Sequence, residues 1–147
     1  MNIVSVSGGT KTQRKLVESM VWYCIDKLGL GRMRTLDIAV ELTKIKDACG
    51  YCVSLTERDF ELEINKTSSL RRILETVAHE MVHVKQYARK ELTQDVTVWK
   101  GQPIEPDTEY WDLPWEIEAH GREIGLFIRW ARAHNHAYKK WAQDPLQ

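Results

Sequence analysis

Apolar and polar residues alternate along three stretches of the chain, and each of them predicts a β-strand. The three stretches are residues 34–43, 51–57 and 59–65, and a further short strand is expected over residues 2–6. Alternation with a period of two places apolar side chains on one face of a strand. In the last stretch, Phe60, Leu62 and Ile64 share one face, and glutamates occupy the other. We expect this strand at the edge of the sheet, since charged faces are typical of edge strands.

Apolar residues recur with helical periodicity in three longer segments. The predicted helices span residues 11–28, 69–91 and 113–135. Their predicted N-terminal residues are Thr10, in a capping box with Gln13, then Ser68 or Ser69, and finally Asp112, with Pro114 in the first turn. Glycines at 29 and 31 end the first helix.

The order of these elements predicts the fold class. A helix comes first, followed by three consecutive strands and then by two more helices. Between these two helices we expect a short strand over residues 94–100 and a loop over 102–112. Such an order is typical of an α+β fold, with a small mixed or antiparallel sheet packed on helices. No segment resembles a linker between domains, so we expect a single domain over residues 1–147.

Composition and charge exclude several classes of function. The 147 residues carry 21 basic and 21 acidic side chains, and a net charge of zero disfavours a dedicated nucleic-acid binder. No apolar run approaches the ~20 residues of a membrane helix, and the first residues do not resemble a secretory signal. Three cysteines do not suggest a disulfide framework. Cys49 and Cys52 are expected in a hairpin turn and the strand after it. We therefore expect a cytoplasmic protein with reduced thiols.

A candidate metal site lies within the second predicted helix. Residues 79–83 read His-Glu-Met-Val-His. Residues four apart share a helix face, so the imidazoles of His79 and His83 can reach one ion. Glu80 lies beside them and can approach a water molecule bound to that ion. This is the H-E-x-x-H pattern of zinc hydrolases, and we expect Zn²⁺ as the cofactor.

A zinc site needs a third protein ligand, and the last helix offers three candidates. Glu116, His120 and Glu123 follow the spacing that places side chains on one helix face. Glu118 points away from this face. Helical periodicity alone does not choose among the three.

The chain resembles the gluzincin metallopeptidases, in which H-E-x-x-H precedes a helix carrying Glu-x-x-Ala-Asp. Here residues 116–120 read Glu-Ile-Glu-Ala-His, and the resemblance implies that Glu116 is the third zinc ligand. His120 stands where that family has an acidic residue that orients a ligand histidine. The order of elements is also similar to a minimal zincin core and to small phage-encoded SprT-like proteins. In the latter the third ligand is usually histidine, which keeps His120 as an alternative.

The resemblance implies a zinc metallopeptidase that acts on a peptide or protein substrate. Glu80 would serve as general base on the zinc-activated water. Tyr110, His120 and Arg122 are candidates for stabilising the oxyanion. By analogy with zincins, the strand over 59–65 would pair with an extended substrate. Two alternatives are a SprT-like DNA-associated protease and a non-catalytic zinc-binding regulator.

Overall fold

The computed structural model describes residues 1–143, which adopt the α+β fold that the sequence predicts. Within these residues, the helices are α1 (Lys11–Lys27), α2 (Leu70–Ala88) and α3 (Pro114–Ala133). The strands are β1 (Ile3–Gly8), β2 (Asp37–Thr43), β3 (Gly50–Ser54), β4 (Asp59–Asn65), β5 (Val98–Trp99) and β6 (Gln102–Pro103). The segment before α3, expected as loop, also contains a short 3-10 turn over Tyr110–Asp112.

Side chains close the N-terminal ends of α1 and α2 as predicted. The hydroxyl of Thr10 accepts from the Gln13 amide at 3.1 Å, and the Gln13 side chain accepts from the Thr10 amide at 2.9 Å. Ser69 accepts from the backbone of α2 in the same way. The prediction that Asp112 begins α3 is wrong. Asp112 belongs to the preceding 3-10 turn, and Leu113 precedes Pro114, whose ring fixes the first helical φ without a side-chain cap.

The main sheet is mixed, and its strand order corrects one expectation. The order is β1-β2-β4-β3, with β1, β2 and β4 parallel and β3 antiparallel to β4. The strand over 59–65 is therefore central, and β3 is the edge strand beside it. The hairpin joins β3 to β4 through residues 55–58, so the turn expected near Cys49 is not a hairpin between neighbouring strands.

One face of this sheet is open to solvent, which explains the misleading alternation in β4. We call it the open face; it consists of the outward side chains of β1, β2, β4 and β3. Cross-strand register places Asp37 beside Asp59, and Glu41 beside Glu63. A central strand on an open face alternates apolar and charged residues just as an edge strand does.

The opposite face of the sheet packs against helices and forms the core. α2 is the central helix: it contacts α1 and α3 as well as strands β3 and β4. Its residues 73–88 are all buried, including several polar side chains. These buried polar side chains are Glu75, Thr76, His79, Glu80, His83, Lys85 and Gln86. Because burying polar groups costs free energy unless they are paired, each of these side chains needs a partner.

None of the helices within residues 1–143 has the length and apolar character needed to cross a bilayer.

Candidate functional site

Three side chains from the middle of α2 form the floor of the site. His79 and His83 lie one helical turn apart, and their ring centroids are 5.0 Å apart. Glu80 is next to His79 in sequence and only 5% exposed. The three residues offer ligand atoms within 4.8 Å of one another. α2 therefore brings the predicted motif residues together in the protein interior.

The first turn of α3 adds a carboxylate that touches both imidazoles. Oε1 of Glu116 lies 3.0 Å from Nε2 of His79, and Oε2 lies 3.3 Å from Nε2 of His83. The packing of α3 against α2 creates this contact, since 37 positions separate Glu116 from His79. The structure thus brings the predicted third ligand to the two histidines.

Two of the distances between these donor atoms are close to those found around a zinc ion. Ligand atoms about 2.0–2.1 Å from zinc, at the corners of a tetrahedron, lie about 3.3 Å from each other. The separations of 3.0 Å from Oε1 and 3.3 Å from Oε2 are close to this value but involve the two different oxygens of Glu116; within residues 1–143, the groups whose ligand atoms all lie within 4.8 Å of one another do not include Glu116. Two imidazole nitrogens and a carboxylate oxygen are also donor types that zinc accepts together.

Further along α3, a second set of groups approaches the other side of His79. Nδ1 of His79 lies 3.6 Å from Oε2 of Glu123, and Oε1 of Glu123 lies 2.8 Å from Nδ1 of His120. These three residues also offer ligand atoms within 4.8 Å of one another. Glu123 Oε2 is buried, and among residues 1–143 it has no hydrogen-bond partner. The predicted face of α3 thus meets His79 at two different nitrogens.

Tyr110 lies above this arrangement, in the 3-10 turn before α3. Its hydroxyl donates to Oε1 of Glu116 at 3.0 Å and lies 2.9 Å from Nε2 of His120. Its ring is partly exposed. Partial burial and the Glu116 carboxylate raise the pKa of this phenol well above its usual value, so the group is protonated and can donate. Arg122, in contrast, pairs with Glu118 rather than with the site.

The electrostatics of the site separate the roles of its carboxylates. Burial raises the pKa of Glu80. Burial acts in the same direction on Glu116, but its hydrogen bonds with His79 and His83 outweigh it and hold the pKa well below the usual range. Burial also opposes protonation of His79, yet its carboxylate partners, Glu116 and Glu123, raise its pKa to about 9. Glu116 is thus suited to an ionic contact, and Glu80 to exchanging a proton.

Two cavities open on either side of these residues and share a wall. Both are lined by Gly50 of β3, by His79 and Glu80, and by Tyr110. The first, of about 290 Å³, is closed mainly by apolar and aromatic side chains. These are Cys52, Tyr87, Leu92, Val96 and Trp115. The second, of about 430 Å³, has polar walls that include Asp47, Arg72, His120 and Glu123. A cleft therefore runs along the edge strand β3, past the floor formed by α2.

The sequence pattern did not identify Gln86, which contacts His83 at the nitrogen that does not face Glu116. Its Oε1 lies 2.7 Å from Nδ1 of His83, and its amide nitrogen donates to the Trp115 carbonyl and to Glu118. Glu118 was expected to point away from the ligand face, and it does, accepting from Lys85 as well. The spacing of Gln86 three residues after His83, on a helix without an exposed face, was the feature that could have revealed it.

The chain was compared with family models, with curated proteins and with solved structures, and none of the three comparisons finds a match.

Proposed function

We propose that the protein is a zinc-dependent metallohydrolase of the zincin type, and specifically a metallopeptidase. The observation that carries this proposal is the contact of one carboxylate, Glu116, with the Nε2 atoms of both His79 and His83. Two histidines and a glutamate are a donor set of catalytic zinc sites, which leave a coordination position for water. The buried Glu80 beside them has no role in a purely structural zinc site.

When bound, zinc lowers the pKa of its water to about 7 and polarises the carbonyl of the substrate. Glu80 acts as the general base: burial raises its pKa, which improves it as a proton acceptor and later as a donor to the leaving amine. Tyr110, whose single hydrogen faces Glu116 in this structure, would turn it toward the carbonyl oxygen as negative charge develops there. Glu116 stays ionised throughout because its pKa is low, and a zinc ligand must be ionised.

The edge strand β3, rather than the strand over residues 59–65, supports a peptide as the substrate. β3 has β4 on one side, and its other edge borders the cleft. An extended peptide can add to such an edge through backbone hydrogen bonds. We therefore assign substrate pairing to β3 instead of residues 59–65. Gly50 and Cys52 of β3 then lie next to the peptide, opposite Tyr110.

A second arrangement of the metal site is supported by the group on the other side of His79. His79, His120 and Glu123 offer ligand atoms within 4.8 Å. With His120 as the third ligand beside His79 and His83, the site would resemble the three-histidine site of SprT-like proteases. The zero net charge of the chain gives no support to the DNA association of such a protease.

The proposal is tested by metal content and by cleavage. Purified protein, supplied with zinc and dialysed, should retain about one zinc per chain by elemental analysis, and His83→Ala should retain almost none. His134→Ala, which changes an exposed histidine at the end of α3, is the matched control and should bind zinc as the wild type does. A broad peptide library should be cleaved by the zinc-loaded protein. A chelator should stop the cleavage, and added zinc should restore it. Zinc content near zero in the wild type would contradict the proposal.

A further inference from the structure

Gln86 is a fully buried polar residue whose side chain satisfies partners on two helices. It lies on α2, and its exposure is 0%. Its amide oxygen faces Nδ1 of His83 at 2.7 Å. Its amide nitrogen donates to the carbonyl of Trp115 at 3.0 Å and to Oε1 of Glu118 at 2.9 Å. A buried network in which each member is paired holds its side chains in one arrangement.

The partners of Gln86 determine which way its amide points. A backbone carbonyl only accepts hydrogen bonds, so the group facing Trp115 must be the NH₂ of the amide. The same holds for Oε1 of Glu118, a carboxylate oxygen; the other oxygen, Oε2, accepts from Lys85. The amide oxygen of Gln86 is therefore the atom that faces His83. The orientation is fixed by two independent acceptors rather than by the histidine itself.

This orientation in turn fixes the proton on the imidazole of His83. An amide oxygen only accepts, so Nδ1 of His83 must carry the hydrogen that it donates. In a neutral ring, Nε2 then carries a lone pair, and Nε2 is the atom that faces Glu116 at 3.3 Å. A histidine ligand needs its free nitrogen on the metal side, and a hydrogen bond at the other nitrogen is what selects that tautomer.

The same side chain also connects His83 to the neighbourhood of Glu116. Trp115, whose carbonyl accepts from Gln86, is adjacent to Glu116 in the first turn of α3. One amide thus spans from a histidine on α2 to the backbone beside the carboxylate on α3. A shift of α3 along α2 would break the hydrogen bond to Trp115 and move Glu116 relative to His83.

We propose that Gln86 is a positioning residue of the metal site: it holds His83 with Nε2 free and fixes the backbone that carries Glu116. The inference rests on the proposed zinc site and does not require knowledge of the substrate. Loss of such a partner behind a ligand typically weakens metal binding about 10–100-fold.

The test compares zinc affinities, measured by competition with a chromogenic chelator. Gln86→Met conserves the length and volume of the side chain but removes both hydrogen-bonding groups, and its zinc affinity should fall by about 10–100-fold. Gln86→Glu keeps an acceptor for Nδ1 of His83 but turns a carboxylate oxygen toward the Trp115 carbonyl and Glu118, so its zinc affinity should also fall below that of the wild type. The absorption spectrum of the cobalt-substituted protein gives a second readout. It should change in Gln86→Met, because the ligand geometry changes.

Ser19→Ala is the matched control for general destabilisation. This variant removes the hydrogen bond between Ser19 and Trp130, two residues outside the motif and its partners. Its zinc affinity and cobalt spectrum should equal those of the wild type. Equal zinc affinity in Gln86→Met and the wild type would overturn the inference while leaving the proposed function intact. If Gln86→Met does not fold, Gln86→Asn retains an amide that is one methylene too short, and wild-type affinity in that variant would overturn the inference equally. A wild-type chain without zinc affinity would contradict the proposed function itself.

Discussion

Nε2 of His79 lies 3.0 Å from Oε1 of Glu116, although the two residues are 37 positions apart in the chain. His79 is held in the middle of α2, and Glu116 in the first turn of α3. Neither helix alone forms the donor set. The packing between the two helices, which buries Trp115 and Ala119, therefore sets the geometry of the candidate site.

The first prediction concerns the third ligand. Glu116→Ala should nearly eliminate zinc binding, because it removes a donor to the ion. His120→Ala and Glu123→Ala should weaken binding only about 10–100-fold, the usual loss for residues behind a ligand. Zinc affinity by chelator competition separates the three variants, and circular dichroism checks that each is folded.

Glu105→Ala, an exposed glutamate in the loop before α3, is the control for this series and should leave zinc affinity unchanged. If His120→Ala loses the metal while Glu116→Ala retains it, the ligands are instead the three histidines His79, His83 and His120. The SprT-like arrangement would then replace the gluzincin arrangement.

A second prediction isolates the general base. Glu80→Gln should keep zinc content and fold but abolish peptide cleavage, since the amide cannot accept the proton of the water. Glu75→Gln is a control on the same helix: Glu75 is also buried, but it pairs with Arg71 and Arg72 rather than with the histidines. That variant should retain cleavage. Cleavage by Glu80→Gln at the wild-type rate would exclude this role.

A third prediction addresses the hydroxyl of Tyr110. Tyr110→Phe removes a single donor near the carbonyl of the substrate and should lower kcat by about 10²-fold, as loss of one oxyanion donor does. KM should change little, and kcat is measured at saturating zinc, because loss of the hydrogen bond to Glu116 should also weaken zinc binding. Tyr138→Phe, at a largely exposed tyrosine, should match the wild type. A rise in KM with unchanged kcat would show that Tyr110 binds substrate rather than stabilising charge.

A fourth prediction concerns the stability of the zinc-free protein as a function of pH. Against the effect of burial, the hydrogen bond with Glu116 and the nearby carboxylate of Glu123 raise the pKa of His79 from 6.5 to about 9 in the folded state. A pKa raised by folding means that the stabilisation is fully present below pH 6.5 and is lost as the pH rises through about 9. The thermal midpoint in a chelator should therefore be lower at pH 9.5 than at pH 6.

Two comparisons check the origin of this pH dependence. Glu116→Gln should reduce it, because the neutral amide no longer favours a protonated imidazole. Zinc-loaded wild type should not show the same loss, since a bound ion takes the place of the proton on the histidine. An unchanged pH dependence in Glu116→Gln would assign it to groups outside the site.

The sequence was most informative where one helix decides the geometry. The spacing of His79 and His83 determines that their side chains share a face of α2, and the same rule groups Glu116, His120 and Glu123 on α3. Strand order was not accessible in this way. The alternation in β4 reports that one face of the sheet is open, and it is the same for a central strand and an edge strand.

Contacts between helices were also beyond the sequence pattern. Gln86 follows His83 by three residues, but its second partner is a backbone carbonyl on α3, and a carbonyl has no sequence signature. The two contacts of His79, with Glu116 at one nitrogen and Glu123 at the other, likewise depend on the crossing of α2 and α3. Periodicity gives the face of each helix but not the distance between two faces.

The open face of the sheet gives this neutral protein an uneven distribution of charge. Its strands place five carboxylates there and no lysine or arginine; the five are Asp37, Glu41, Asp59, Glu61 and Glu63. Because the net charge of the whole chain is zero, the rest of the chain carries an excess of five positive charges. The molecule is thus an electric dipole at its isoelectric point, and an anion-exchange resin should retain it through the sheet at low ionic strength.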